Sequence, residues 1–210
     1  MQAEPASRPG LPALYLITPQ PAASDAAFLR GLDDALRARR PDLPLVQFRA
    51  HGLRHEHWRG LARDVLRVCR GHGARLLLNA GALDGVDAGA LLEIGADGLH
   101  LPARLLPTQV RRGLACRQWL GASCHDAAQL RQAERIGADL VTLSPVLPTA
   151  SHPGAQTLGW SALARLCRGS ALPVYALGGL GAQHLERARA AGAHGVAAIR
   201  QLWPGDGGGQ

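Results

Sequence analysis

The chain ends several of its short apolar runs on polar side chains that can hold an anion or move a proton. Gln47 and Arg49 close VQFR, Asn79 closes LLLN, His100 closes GLH, and Ser123 closes GAS with His125 two residues on. A later loop, SPVLPTASH, adds Thr149 and His152. Guanidinium and carboxamide groups hydrogen-bond anions and ring heteroatoms, and an imidazole ordinarily titrates close enough to neutrality to take and return a proton. Any one of these residues alone fits a solvated strand end. They make a site only if the fold brings the same end of successive strands to one place.

A second constellation lies further along. Gly178-Gly179 follows one apolar run, and Ala198-Ile199-Arg200 ends another. Lacking Cβ atoms, glycines let backbone N–H groups approach phosphate oxygens, and a following helix N-terminus adds its positive end. A Gly-Gly pair alone is equally well a turn demanded by backbone geometry.

The elements that must position these groups are eight apolar runs: Ala13 to Thr18, Pro44 to Arg49, Arg75 to Asn79, Asp97 to Leu101, Trp119 to Ser123, Asp139 to Leu143, Pro173 to Leu177, and His194 to Ile199. Amphipathic stretches fall between them. Ser24 to Arg39 opens on a Ser N-cap, His55 to Gly71 carries Leu61, Val65 and Val68 on one face, and Ala127 to Ile136 runs into Gly137. Gly95-Ala96-Asp97, Gly137-Ala138-Asp139 and Gly192-Ala193-His194 precede the fourth, sixth and eighth runs, as a helix-ending glycine turning straight into a strand would. This alternation predicts an α/β fold with a parallel sheet. No GxGxxG follows the first run, so a single (β/α)8 TIM barrel is favoured over an open doubly wound sheet, with its site at the C-terminal strand ends.

Composition agrees and excludes other classes. The 210 residues are 47% hydrophobic, enough for one sizeable core, here assigned to residues 13–203 between a flexible Pro-rich segment at 1–12 and a Gly-rich tail at 204–210. No run approaches the ~18 to 20 apolar residues of a membrane span, and the N-terminus lacks a signal-peptide pattern, so no membrane association and a cytoplasmic location are expected. Cys69, Cys116, Cys124 and Cys167 are widely spaced, which suggests reduced thiols rather than a zinc site or disulfide scaffold. The net charge is +7 and all 23 basic residues are Arg, which excludes a lysine Schiff base. With 4% aromatics and arginines scattered over helix faces, no nucleic-acid partner is expected.

Seven segments then carry a resemblance. VQFRAHGL, LLLNAG, ADGLHLP, LGASCH, SPVLPTASH, PVYALGGL and GAHGVAAI follow in order, over roughly residues 13–202, the pattern of thiamine phosphate synthase and its relative TenI, a thiazole tautomerase. The resemblance implies a TIM barrel taking a small phosphorylated thiazole or pyrimidine ligand. It implies that Gln47 contacts a pyrimidine, that Arg49 and Asn79 bind a diphosphate, and that Thr149 and His152 lie in a ligand-contacting loop. His100 and Ser123 would line the same pocket. Gly178, Gly179, Ile199 and Arg200 would hold the thiazole phosphate, and His125 matches the histidine that TenI uses as its proton shuttle.

The departures from the synthase pattern bear on the reaction. The synthase has Asp after the strand-three Asn and a Gly-Gln-acidic-Asp segment after strand four, and these carboxylates bind Mg2+. Here Asn79 is followed by Ala80, and the later segment reads Pro102-Ala103-Arg104-Leu105. Two lysines of the pattern are His51 and His152. Departure of a diphosphate leans on metal and fixed cations, whereas moving a proton around a thiazole ring needs a phosphate anchor and a base. The expectation is therefore a TenI-like thiazole tautomerase with His125 as its catalytic residue and no cofactor or metal. Thiamine phosphate synthase, with Mg2+, is the first alternative. The second is a non-catalytic phosphate-ligand-binding domain, related to those fused to Nudix hydrolases and with a Nudix domain as fused or separate partner. A sugar- or indole-phosphate isomerase fits less well, because no carboxylate ends a strand. Homo-oligomerisation is left open.

Overall fold

The computed structural model describes residues 10–22, 24–82, 93–106, 118–149, 154 and 156–203. Its eight strands are β1 (Leu14–Ile17), β2 (Leu45–Phe48), β3 (Leu76–Asn79), β4 (Gly98–Leu101), β5 (Trp119–Cys124), β6 (Leu140–Leu143), β7 (Val174–Leu177) and β8 (Gly195–Ala198). All pair in parallel and in chain order, and β8 returns to β1 through Leu14↔Val196, Tyr15↔Ala197 and Leu16↔Ala198, so the sheet is a closed TIM barrel. Among the described residues the helices are α1 (Asp25–Arg37), α2 (His55–His72), α3 (Ala127–Arg135), α4 (Gly159–Arg168) and α5 (Leu185–Ala190). Short 3-10 turns occupy Ala103–Leu105, Ala182–His184 and Arg200–Leu202. No described helix is long and apolar enough to cross a membrane.

Each strand is one of the expected apolar runs, trimmed or extended by a residue or two at its ends. The last differs in a way that matters: β8 stops at Ala198, and Ile199 and Arg200 lead into a 3-10 turn. Ser24 caps α1 as expected, its Oγ accepting from Ala27 N–H at 3.2 Å. Gly95, Gly137 and Gly192 have φ of 88°, 76° and 87°, the left-handed conformation that lets the chain turn directly into the next strand. The residue that ends each Gly-Ala-Asp/His phrase has its own job. Asp97 Oδ2 accepts from Leu76 N–H and Asp139 Oδ2 from Leu120 N–H, both at 2.8 Å, latching each strand entry to its predecessor. His194 Nε2 does the equivalent across the closure, donating to Leu11 O at 3.1 Å.

Period-two alternation sorts the strand side chains into two cores. Outward residues such as Leu16, Val46 and Leu78 bury against Phe28, Leu32, Trp58, Leu61 and Val65 of α1 and α2. Each such leucine or valine, fully buried, contributes about 1.5–3 kcal/mol relative to exposure. Inward residues Tyr15, Ile17, Leu45, Leu77, Trp119, Leu140, Tyr175 and Ala197 fill the barrel. Cys69, Cys124 and Cys167 are buried free thiols; burial pushes Cys69 and Cys124 up to about 12 and Cys167 to about 11, which keeps them protonated and inert. Cys116 lies outside the described residues.

Candidate active site

The inward-facing series does not remain apolar to its end. At the C-terminal mouth it becomes Gln47, Asn79, His100, Ser123 and Thr142, set beside one another by the registers Asn79↔His100 and Ser123↔Thr142. Above them opens a cavity of about 440 Å³, lined by Ile17, Gln47, Arg49, His51, Asn79, Gly81, Pro102, Ala103, Arg104, Ser123, His125, Ser144, Leu177 and Ile199. That volume suits a small ligand. A second cavity of about 270 Å³ shares Leu177 and Ile199 with the first and continues over Pro148, Thr149, Gly178, Gly179, Leu180, Ala198, Arg200 and Gln201.

The expected residues therefore divide into three groups. Gln47, Arg49, Asn79, Ser123 and His125 line the first cavity. Thr149, Gly178, Gly179 and Arg200 line the second, and Ile199 lies between the two. His100 lines neither: it is buried beneath the floor. His152 lies outside the described residues.

His100 sits below the mouth because β5 makes room for it. A Cβ on Gly121 would come within 2.6 Å of the His100 Nδ1. The ring belongs to a buried polar chain. Asn79 Nδ2 donates to Gln47 Oε1 at 2.9 Å, Gln47 Nε2 to the Tyr15 hydroxyl at 3.1 Å, and Tyr15 OH meets His100 Nδ1 at 3.1 Å. His100 Nε2 then reaches Ser123 Oγ at 2.9 Å. Desolvation holds the imidazole down at about 3, so the ring is neutral. Burial, partly offset by the Gln47 hydrogen bond, raises the Tyr15 phenol far above its ordinary value. Tyr15 was not expected at the site; an aromatic in an apolar run reads as core, and nothing in its spacing distinguishes it.

Arg49 projects from the end of β2 into the same cavity, half-buried. Among the described residues its guanidinium has no hydrogen bond or ion pair, and desolvation lowers its pKa from the ordinary arginine range. A cation held that way gains most from an anionic ligand. Arg104 flanks it, donating from Nη2 to Gly81 O at 3.1 Å and so tying the loop after β3 to the turn after β4.

His125 is exposed at the end of β5. Its Nδ1 lies 2.8 Å from Ser144 O, and a carbonyl only accepts, so Nδ1 carries the proton and the neutral ring keeps Nε2 as its bare nitrogen. It does not cap α3. Asp126 does, accepting from Gln129 N–H at 2.8 Å, while Gln129 Oε1 accepts from His125 N–H at 2.8 Å and steadies the backbone there.

The second cavity is walled by backbone. Gly178 and Gly179 have φ of 103° and 66°. Added Cβ atoms would meet Pro145 Cα at 2.8 Å and Pro148 O at 2.5 Å. The glycines thus serve two ends: they admit the loop after β6, which bonds to β7 through Val146 N–H to Leu177 O and Leu147 N–H to Gly178 O, and they leave the opposite side open. The N–H groups of Gly179, Leu180, Arg200 and Gln201 donate to no backbone carbonyl among the described residues. Backbone donors left without a carbonyl partner beside a cavity suit a phosphate.

A family model described as thiamine monophosphate synthase matches residues 14–202. The chain belongs to that family. It is 33% identical over 189 residues to a putative thiamine-phosphate synthase 2 of Aquifex aeolicus, covering 90% of this chain and 96% of that one. It is 36% identical over 191 residues to a putative thiamine-phosphate synthase of Geobacter sulfurreducens, covering 90% and 85%. The match to the thiamine-phosphate synthase of Prochlorococcus marinus, 37% over 139 residues, covers 66% of this chain and only 38% of that protein. Among solved structures, thiamine phosphate pyrophosphorylase from Pyrococcus furiosus shares the fold, with a TM-score of 0.69 at 21% identity, covering 89% and 84% of the two chains.

A divalent cation would need anionic oxygen ligands at the mouth. Among the described residues, neither cavity has a carboxylate in its lining. Among the described residues, no three His, Cys, Asp or Glu side chains gather anywhere. Ala80 and the Pro102–Leu105 segment supply a methyl, apolar groups and a guanidinium, none of which binds a hard cation that seeks anionic oxygen. The described residues at the mouth do not fit Mg2+.

Proposed function

We propose that this thiamine-phosphate-synthase-like barrel is a TenI-type tautomerase acting on a thiazole phosphate, without metal. The observation that carries the reading is His125: its ring lines the cavity with Nδ1 bound to the Ser144 carbonyl and Nε2 available as a base. The ligand phosphate would rest on the N–H groups around Gly179 and Arg200, and the heteroaromatic ring would extend past Leu177 and Ile199 toward His125. Nε2 would take a proton from one position of the ring and return it to another, leaving the imidazole unchanged over the cycle. Arg49 would hold an anionic substituent at the far end.

The His125→Gln protein tests the reading, since it keeps polarity and approximate size but has no base. Tautomerisation followed by NMR of the thiazole should fall by ~10²-fold or more, with phosphate-ligand affinity little changed. Undiminished turnover in that variant would remove His125 as the base. Wild-type protein that binds thiazole phosphate without turning it over would favour the non-catalytic reading. The synthase reading draws on the names of the relatives and on Arg49, which has no partner among the described residues. Mg2+-dependent condensation of hydroxymethylpyrimidine diphosphate with thiazole phosphate would establish it instead.

A further inference from the structure

Each hydrogen bond between Asn79 and Ser123 has one direction, and a backbone amide sets them all. Gly81 N–H can only donate, so the Asn79 atom 2.9 Å from it is Oδ1. The other end of that carboxamide is therefore its NH2, which gives a proton to Gln47 Oε1. Gln47 must then present its own NH2 to the Tyr15 oxygen. With that oxygen already accepting, the phenolic proton goes to His100 Nδ1, the acceptor within its reach. His100 is left with its proton on Nε2, and this goes to Ser123 Oγ. The Thr142 hydroxyl stands 3.5 Å from the same oxygen, too far to hold the serine proton.

Water cannot reset this order. Tyr15 is 0% exposed, His100 1%, Gln47 2% and Asn79 6%. Reversal would need a second proton on a ring whose burial opposes one. Ser123, the far end of the chain, lines the cavity.

We propose that this one-way chain makes Ser123 an obligate hydrogen-bond donor to the bound ligand, so the cavity selects an acceptor there: a carboxylate or carbonyl oxygen, or an unprotonated ring nitrogen. Tyr15, which lines neither mouth cavity, is the positioning residue that transmits the choice from Gly81. The identity of the ligand rests on the thiazole reading above; the direction of the chain does not.

The decisive variant is Asn79→Asp, nearly isosteric. The introduced carboxylate still accepts from Gly81 N–H but has no proton to pass on, so Gln47 must turn over and every later bond reverses. ¹⁵N NMR of the histidine rings, with His100 assigned by the loss of its signals in His100→Gln, reads the outcome directly. In wild-type protein His100 should be the neutral Nε2–H tautomer, and in Asn79→Asp the Nδ1–H tautomer. Thiazole phosphates bearing a 2-carboxylate or a 2-amino group report the selectivity. Wild-type protein should prefer the carboxylate by roughly tenfold or more, and Asn79→Asp should lose that preference. Should Asn79→Asp fail to fold, Tyr15→Phe cuts the chain in the middle and should give mixed His100 tautomers with a narrowed preference. An Nδ1–H tautomer in wild-type protein, or an unchanged tautomer in folded Asn79→Asp, overturns the proposal. If wild-type protein binds neither thiazole, the thiazole reading falls, and the ¹⁵N spectra alone decide the chain.

Discussion

Between β2 and β5 the mouth of the barrel presents side chains; between β7 and β8 it presents backbone. On the first side, Arg49, Asn79, Ser123 and His125 differ in charge and in donor or acceptor character, and a buried network fixes what Asn79 and Ser123 offer. On the second, Gly179, Leu180, Arg200 and Gln201 offer main-chain N–H groups whose direction comes from backbone conformation alone. The difference separates discrimination from anchorage. A backbone cradle accepts any phosphate that reaches it, whereas the side-chain half can tell one attached ring from another.

That division can be broken by mutation. The largest loss of affinity is expected from Arg49→Gln, which removes a charge-assisted contact and should weaken binding of a carboxythiazole phosphate roughly 10- to 100-fold by calorimetry. Because the arginine is half-buried and has no partner among the described residues, the melting temperature of that variant should not fall. Gly179→Ala is the opposite case. An alanine at φ 66° with its Cβ 2.5 Å from Pro148 O must displace the loop after β6. The strain of about 1–2 kcal/mol should lower the melting temperature by several degrees and phosphate affinity by roughly tenfold. A smaller effect should come from Arg200→Ala, since its side chain is exposed: a loss below about threefold would leave the anchor to the backbone, and a loss above tenfold would move it to the guanidinium.

Far from the mouth lies the smallest expected effect. The His72 hydrogen bond, with the Arg37 charge beside it, holds the Asp33 carboxyl below its ordinary range, and this pair ties α1 to α2 at 2.7 Å. A depressed folded-state value stabilises above the unfolded aspartate's range, near pH 4, and that stabilisation is lost as pH falls through the lower folded value. His72→Asn should therefore flatten the acid limb of a stability-against-pH curve while leaving ligand affinity at neutral pH unchanged. A shift in affinity would mean that the outer helices feed into the mouth.

The two halves were also unequally legible in the sequence. Strands were plain because each is a short buried apolar run, and the Gly-Ala-Asp/His phrases marked the turns into β4, β6 and β8. Arg49 and His125 stood out by chemical type at strand ends. Tyr15 did not, because a phenol inside LYLI is indistinguishable from core until its hydroxyl is seen between Gln47 and His100. His100 was expected on the cavity wall and lies beneath it, because only the space over Gly121 decides where an inward histidine goes. Gly178-Gly179 was visible as a pair, but its packing against Pro145 and Pro148 depends on residues some thirty positions away, which no local pattern encodes.

The closure between β8 and β1 carries one more consequence. Seven of the eight strand pairs join neighbours in the chain, so they can assemble by successive local steps. The eighth must gather residues such as His194 and Leu11, 183 positions apart, and bears the largest loop-closure entropy of the fold. This makes it the natural place for the cylinder to open first. A ligand lying from Gly179 on the β7 side to Arg49 on the β2 side would span that seam like a stitch. At a hundredfold excess over its Kd it would add about 2.7 kcal/mol against unfolding. Occupancy would then be readable as slower amide exchange along β1 and β8, with the remaining strands less affected.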